Sequence, residues 1–178
     1  RVRAEVKDPD GIQARTEFRY DAAGHTTRID AGVTYSAIHD PVTGKQTGVA
    51  RHVHTSTQYV FDAQGRRVRE ILDPDGVKQT TEYYYDQNGN VSLKIQRASP
   101  DSPTTSETRA TAYLYDENNR PTFSFSLLNA TEVAVTQTEY DIAGRITKTV
   151  RYATPAKLSV VAPLFSPVSG MAGQNLSP

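Results

Sequence analysis

Apolar and polar residues alternate along most of this chain, in short runs cut by turn-forming residues. Val2, Ala4 and Val6 alternate with Arg3, Glu5 and Lys7, the period of a strand with one buried face. Thr16, Phe18 and Tyr20 alternate with Glu17 and Arg19. Asp21-Ala22-Ala23-Gly24 then turns the chain, and a short return strand through Thr27 and Ile29 is expected to close a hairpin. Asp40-Pro41-Val42-Thr43-Gly44-Lys45 is a further turn signal, flanked by Val33, Tyr35, Val49 and Val53, and predicts an extra or longer hairpin. Val91, Leu93 and Ile95 give the next apolar face. Strands are expected again at Thr108–Tyr115, Thr122–Leu128, Val133–Tyr140 and Arg145–Tyr152. No segment keeps a helical period. The pattern predicts an all-β fold, an antiparallel hairpin or meander array.

The turns themselves repeat. An aromatic followed by Asp, two variable residues and Gly occurs as Tyr20-Asp21 to Gly24, Phe61-Asp62 to Gly65, Tyr85-Asp86 to Gly89 and Tyr140-Asp141 to Gly144. One more copy, Tyr115-Asp116 to Asn119, fourth of the five in chain order, has Asn in place of Gly. Asp accepts from backbone N–H groups just ahead of it, and the last position needs a left-handed backbone, which Gly and then Asn tolerate best. The aromatic is read as facing the core or stacking on its counterpart in a neighbouring hairpin. A longer unit is duplicated as well: Asp8-Pro9-Asp10-Gly11 precedes the Tyr20 copy as Asp73-Pro74-Asp75-Gly76 precedes the Tyr85 copy. In these two turns Gly is expected at positive φ. Arg97 to Glu107, rich in Ser, Thr and Pro, reads as a surface loop.

Residues 1–152 are therefore read as the hairpin array, and 153–178 as a Pro-rich linker or tail. Within that tail Leu158, Val160 and Val161 are the one strand signal.

Composition narrows the function classes. Hydrophobic residues make up 37% of 178 residues, which suits sheets with one wet face. Lys plus Arg equal Asp plus Glu at 20 each. That balance argues against a nucleic-acid partner or a polybasic membrane anchor. No apolar run approaches the roughly 20 residues of a membrane span. There is no Cys, so disulfides and thiolate metal sites are excluded. The chain begins Arg1-Val2-Arg3 rather than with Met, and is expected to be a piece of a longer chain or a processed product.

The five corners resemble the YD repeats of the RHS (rearrangement hotspot) family, whose core is Tyr-Asp, two variable residues, Gly, then Arg or Asn and an aliphatic. Tyr140 to Ile146 fits best and Tyr85 to Val91 nearly as well. His25 replaces Arg in the first copy, Phe61 replaces Tyr in the second, and Asn119 and Pro121 depart in the fourth. The resemblance spans about residues 1–152 and implies a β-hairpin array that winds into a hollow shell in long family members. Such shells enclose a C-terminal toxin in bacterial RHS effectors and in the BC component of insecticidal Tc toxins; related repeats occur in teneurins and wall-associated bacterial proteins. The Asp-Pro-x-Gly-Leu signature that ends many such shells is missing, so neither a self-cleavage site nor an appended toxin is expected. By the same resemblance the chain is too short to close a shell alone. The implied role is structural: a wall segment enclosing or shielding a partner or toxin polypeptide, in a secreted or cell-surface bacterial protein. Its implied partners are further YD repeats of the same or another chain and the enclosed cargo.

Candidate chemistry is sparse. The recurring Asp21, Asp62, Asp86, Asp116 and Asp141 are read as turn residues, since nothing selects a converging pair for acid–base work. His52 and His54 put two imidazoles on one strand face, a spacing that can chelate a metal, but no third ligand type lies near them in sequence. No nucleophile elbow or phosphate loop is present. Neither an enzyme activity nor a cofactor is expected. The alternative to a wall is an adhesin or carbohydrate-binding module, for which Tyr84 is the candidate. If Tyr83 and Tyr85 fill the core, Tyr84 points to solvent. A metal- or carboxylate-based hydrolase is a distant third reading.

Overall fold

The computed structural model describes residues 4–6, 15–98 and 108–166. Among them the chain forms thirteen strands, antiparallel in each resolved pairing, with one short helix. The all-β hairpin meander expected from the alternation is what the chain builds. No helix among the described residues is long and apolar enough to cross a membrane. The turn expected at Asp8–Gly11 and most of the Ser/Thr/Pro loop lie outside the described residues.

The chain divides into two compact units, Arg1–Thr80 and Thr81–Pro178. The repeat pattern of 1–152 does not mark this division. The first unit holds β1 (Ala4–Val6), β2 (Arg15–Tyr20), β3 (Thr26–His39), β4 (Gln46–His52), β5 (Thr55–Phe61) and β6 (Arg67–Leu72). They lie in the order β1-β2-β3-β5-β6. The return strand after Tyr20, expected to be short, is instead 14 residues long. Its first half pairs with β2 and β5, and its second half with β4. The extra hairpin is thus β3–β4, turned by Asp40, whose carboxylate accepts from the N–H groups of Val42 and Thr43 at 2.8 and 2.7 Å.

β7 (Gln79–Tyr85) runs across the division. The second unit continues with β8 (Val91–Arg97), β9 (Thr108–Tyr115), β10 (Pro121–Leu127), β11 (Glu132–Tyr140) and β12 (Ile146–Arg151), neighbours in chain order. A short β13 (Ala156–Lys157) pairs with the start of β11.

A bulge recurs seven residues after the motif aromatic. Tyr20 pairs with Thr26 while Arg19 pairs with Arg28, leaving Thr27 as the extra residue. Val68, Thr122 and Thr147 are the extra residues in the hairpins of Phe61, Tyr115 and Tyr140. A bulge adds local twist and shifts which side chains share a face. In the second unit a hydroxyl at this position reaches back across the pair. Thr122 and Thr147 donate to the carbonyls of Leu114 and Glu139, each at 3.2 Å, and Ser92 to that of Tyr84 at 3.3 Å.

The second unit has an apolar core: Leu93, Ile95, Ala110, Ala112, Phe125 and Val133 are buried. Register explains the cluster, because Leu93 and Phe125 both lie opposite Ala112, and small Ala residues between large ones fill the face. Tyr84, Phe123 and Val135 pack at its border.

The segment after Tyr152 differs from the expected strand and linker. Leu158–Val161 is one turn of α-helix (α1), and Ala162–Phe165 a 3-10 turn. Leu158, Val161, Leu164 and Phe165 pack against the apolar core. Their spacing of three to four residues puts them on one side, so burial outweighs the β preference of Val160 and Val161. Residues 167–178 lie outside the described residues.

Candidate functional site

Each motif corner is closed by the same bonds. The Asp N–H donates to the carbonyl four residues on, and the N–H of the Gly or Asn three residues on donates to the Asp carbonyl. One carboxylate oxygen collects backbone N–H groups; for Asp116 these are Asn118 and Arg120, at 2.9 and 3.0 Å. The other oxygen takes the side chain of the fifth residue counted from the Asp. Arg66, Arg120 and Arg145 donate through Nε to Asp62, Asp116 and Asp141, each at 2.7 Å. His25 and Asn90 fill the same role toward Asp21 and Asp86, at 2.9 and 3.1 Å. The last corner position has positive φ in every copy: Gly24, Gly65, Gly89, Gly144 and Asn119, the last at 59°.

The electrostatics follow from these bonds. The His25 side chain holds Asp21 below the ordinary carboxylate value, as the Arg120 side chain does Asp116 and the Arg145 backbone N–H does Asp141. Burial pushes Asp62 upward, and its bonds from Arg66 outweigh that and bring it below the ordinary value.

The fifth residue also joins one corner to the next within each unit. In the first, the His25 ring stacks on Phe61 at 4.7 Å between centroids, and a Cβ at Gly65 would lie 2.9 Å from its Nε2. In the second, Asn90 donates to the Asn119 side chain at 2.8 Å. The Arg120 guanidinium lies 4.8 Å from the centre of the Tyr140 ring and donates to the Asp141 carbonyl at 3.1 Å. The tyrosines answer in the opposite direction. Tyr115 donates to the Val91 carbonyl at 2.9 Å, and Tyr140 to that of Pro121 at 3.0 Å. Both acceptors sit six residues after the preceding motif Tyr. The result, within each unit, is a ladder of corners hooked to one another by the motif aromatic and the side chain that binds the Asp.

A second polar assembly lies in the first unit. Asp30 is 1% exposed and accepts from Ser56 at 2.5 Å, Arg28 at 2.8 Å and Arg51 at 2.7 Å. Arg51 also binds Glu17 at 2.7 Å, Glu17 accepts from the Tyr35 hydroxyl at 2.7 Å, and Arg28 reaches Asp75. Burial pushes the Asp30 carboxyl upward, but its three donors win and hold it down at about 2. The cluster is saturated with ion pairs, which suits joining β2, β3, β4 and β5. Sequence reading missed it. The available signal was charge at alternate positions, Arg15, Glu17 and Arg19 beside Arg28 and Asp30, which places them on one sheet face.

Three expectations are corrected. Tyr84 is partly buried against the apolar core rather than pointing to solvent. His52 ends β4 and contacts the Ser36 hydroxyl at 2.9 Å, whereas His54 lies in the following connection, its N–H on the Ala31 carbonyl. The two do not share a strand face. Among the described residues, no group of three or more His, Cys, Asp or Glu side chains is placed to hold a metal ion. In the Asp73 turn it is Asp73 and Lys78 that carry positive φ, not Gly76. Gly76 is needed there because a Cβ would meet the Asp73 carboxylate.

No protein-family model and no curated protein matches the chain. Among solved structures, a chain of the Photorhabdus luminescens Tc holotoxin pore is similar at 16% identity and a TM-score of 0.42. The similarity covers 81% of this chain and 9% of that one.

Proposed function

We propose that the chain is a wall segment of an RHS/YD-repeat shell that encloses or shields a partner or C-terminal toxin polypeptide, in a secreted or cell-surface protein. The observation that carries this reading is the corner ladder: five copies of one turn, each closed by the same carboxylate bonds and hooked to neighbours within its unit. The Asp carboxylates are engaged by donors of their own corners, as a repeated structural joint requires. The role is structural rather than catalytic. The carbohydrate-binding alternative loses its candidate, since Tyr84 packs at the core.

Limited proteolysis of the intact gene product containing this chain tests the proposal. A polypeptide enclosed by the wall is expected to resist cleavage until the wall is opened by denaturant. Cleavage of every other segment of that product at the rate it shows when expressed alone overturns the enclosure.

A further inference from the structure

The ladder has a rung whose outer half is open. Arg120 is 27% exposed because Tyr140 of the next hairpin covers it; Arg145, the same motif position one hairpin later, is 81% exposed. Both make the same Nε bond to their own Asp, so the difference lies in what covers the guanidinium. The strand that follows Arg145 matches this. Among the described residues β12 pairs only with β11, and Ile146 is exposed. The Ile146 carbonyl is the equivalent of those of Val91 and Pro121, which accept the hydroxyls of Tyr115 and Tyr140.

From this we infer that the free edge of β12 is a docking site for a strand of another polypeptide that ends in Tyr-Asp. Its ring would lie over Arg145 and its hydroxyl would donate to the Ile146 carbonyl. The docking strand is specified by continuity with the β10–β11 interface inside the chain. There Phe123 lies opposite Gln137, three residues before Tyr140. Lys148 follows the bulge residue Thr147 as Phe123 follows Thr122, so the residue three before the docking Tyr lies opposite Lys148. Backbone pairing supplies attachment, and the aromatic on Arg145 sets register. This inference deepens the wall reading by naming one joint of the wall and the chemistry it accepts.

The chain has no Cys, so Lys148→Cys gives a single thiol. The probe is a synthetic peptide with the sequence of residues 131–144 and Cys in place of Gln137. Under oxidising conditions it is expected to form a disulfide with the variant, while a peptide with Cys in place of Thr138, on the other strand face, does not. Arg145→Ala in the same background, or Phe for the peptide's Tyr140, is expected to lower peptide affinity about two- to fivefold. Equal crosslinking of both peptides, or of neither, overturns the assignment. So does a disulfide-linked homodimer of Lys148→Cys formed in preference to the peptide adduct, which would give the edge to a second copy. The enclosure is judged separately: lost protease protection with register-specific crosslinking intact overturns the enclosure alone, and the converse overturns this joint alone.

Discussion

The two units use the same corner over different interiors. In the second, the buried face is Leu93, Ile95, two Ala, Phe125 and Val133, covered by the short helix and 3-10 turn. In the first, the buried residues include Val33 but also Asp30, Ser56 and Thr80; ion pairs link β2, β3 and β4, and the Ser56 hydroxyl ties in β5. The corner fixes backbone geometry through bonds made inside the motif. What fills the sheet face is then free to be oil or charge, provided every buried polar group finds a partner.

That contrast can be broken from either side. The largest effect is expected at Leu93, 2% exposed: Leu93→Ala should cost about 3 kcal/mol in urea melts followed by circular dichroism. A loss below about 1 kcal/mol would mean that the second unit does not depend on its apolar face.

Asp30→Asn is the matching test in the first unit. Asp30 sits at about 2 when folded against an ordinary 3.8. A depressed carboxyl contributes stability above its unfolded value and loses it as pH falls through the folded one. Its contribution, about 2 kcal/mol, should therefore be complete above pH 3.8 and vanish toward pH 2. The Asn variant should melt earlier at neutral pH and lack this acid-dependent component. Parallel pH curves for variant and wild type would remove the charge cluster from the account.

The corner should matter equally under either interior. Gly89 has φ 86° and open space around its missing Cβ, so Gly89→Val tests backbone strain alone and should cost about 1–2 kcal/mol. Unchanged urea stability would contradict the turn geometry. The smallest effect is expected at the bulge: Thr122→Val removes one bond to the Leu114 carbonyl and should cost about 0.5 kcal/mol.

The corners were legible in the sequence because their chemistry is local: Asp, Gly and the fifth residue interact within five positions. The strands were legible by alternation. Other features were not. Alternation gives two faces without saying which is inner, so the condition that would send Tyr84 to solvent, Tyr83 and Tyr85 filling the core, cannot be decided from it, and Tyr84 packs against the core. The Asp30 cluster joins residues from β2, β3, β4 and β5, and only strand pairing reveals that Glu17, Asp30 and Ser56 form one row. The helix at Leu158 exists because it has a core to sit on, and its own four residues do not encode that.

A bulge lies seven residues past four of the five motif aromatics. Strand sequence is read two residues at a time, so a one-residue insertion or deletion acts like a frameshift, exchanging inner and outer letters downstream. The bulge is a frameshift already built in, at Thr27, Val68, Thr122 and Thr147. It resets the phase after each of these four corners. Deleting Thr122 should leave the Tyr115-Asp116 corner grammatical and turn Phe123, Phe125 and Leu127 inside out.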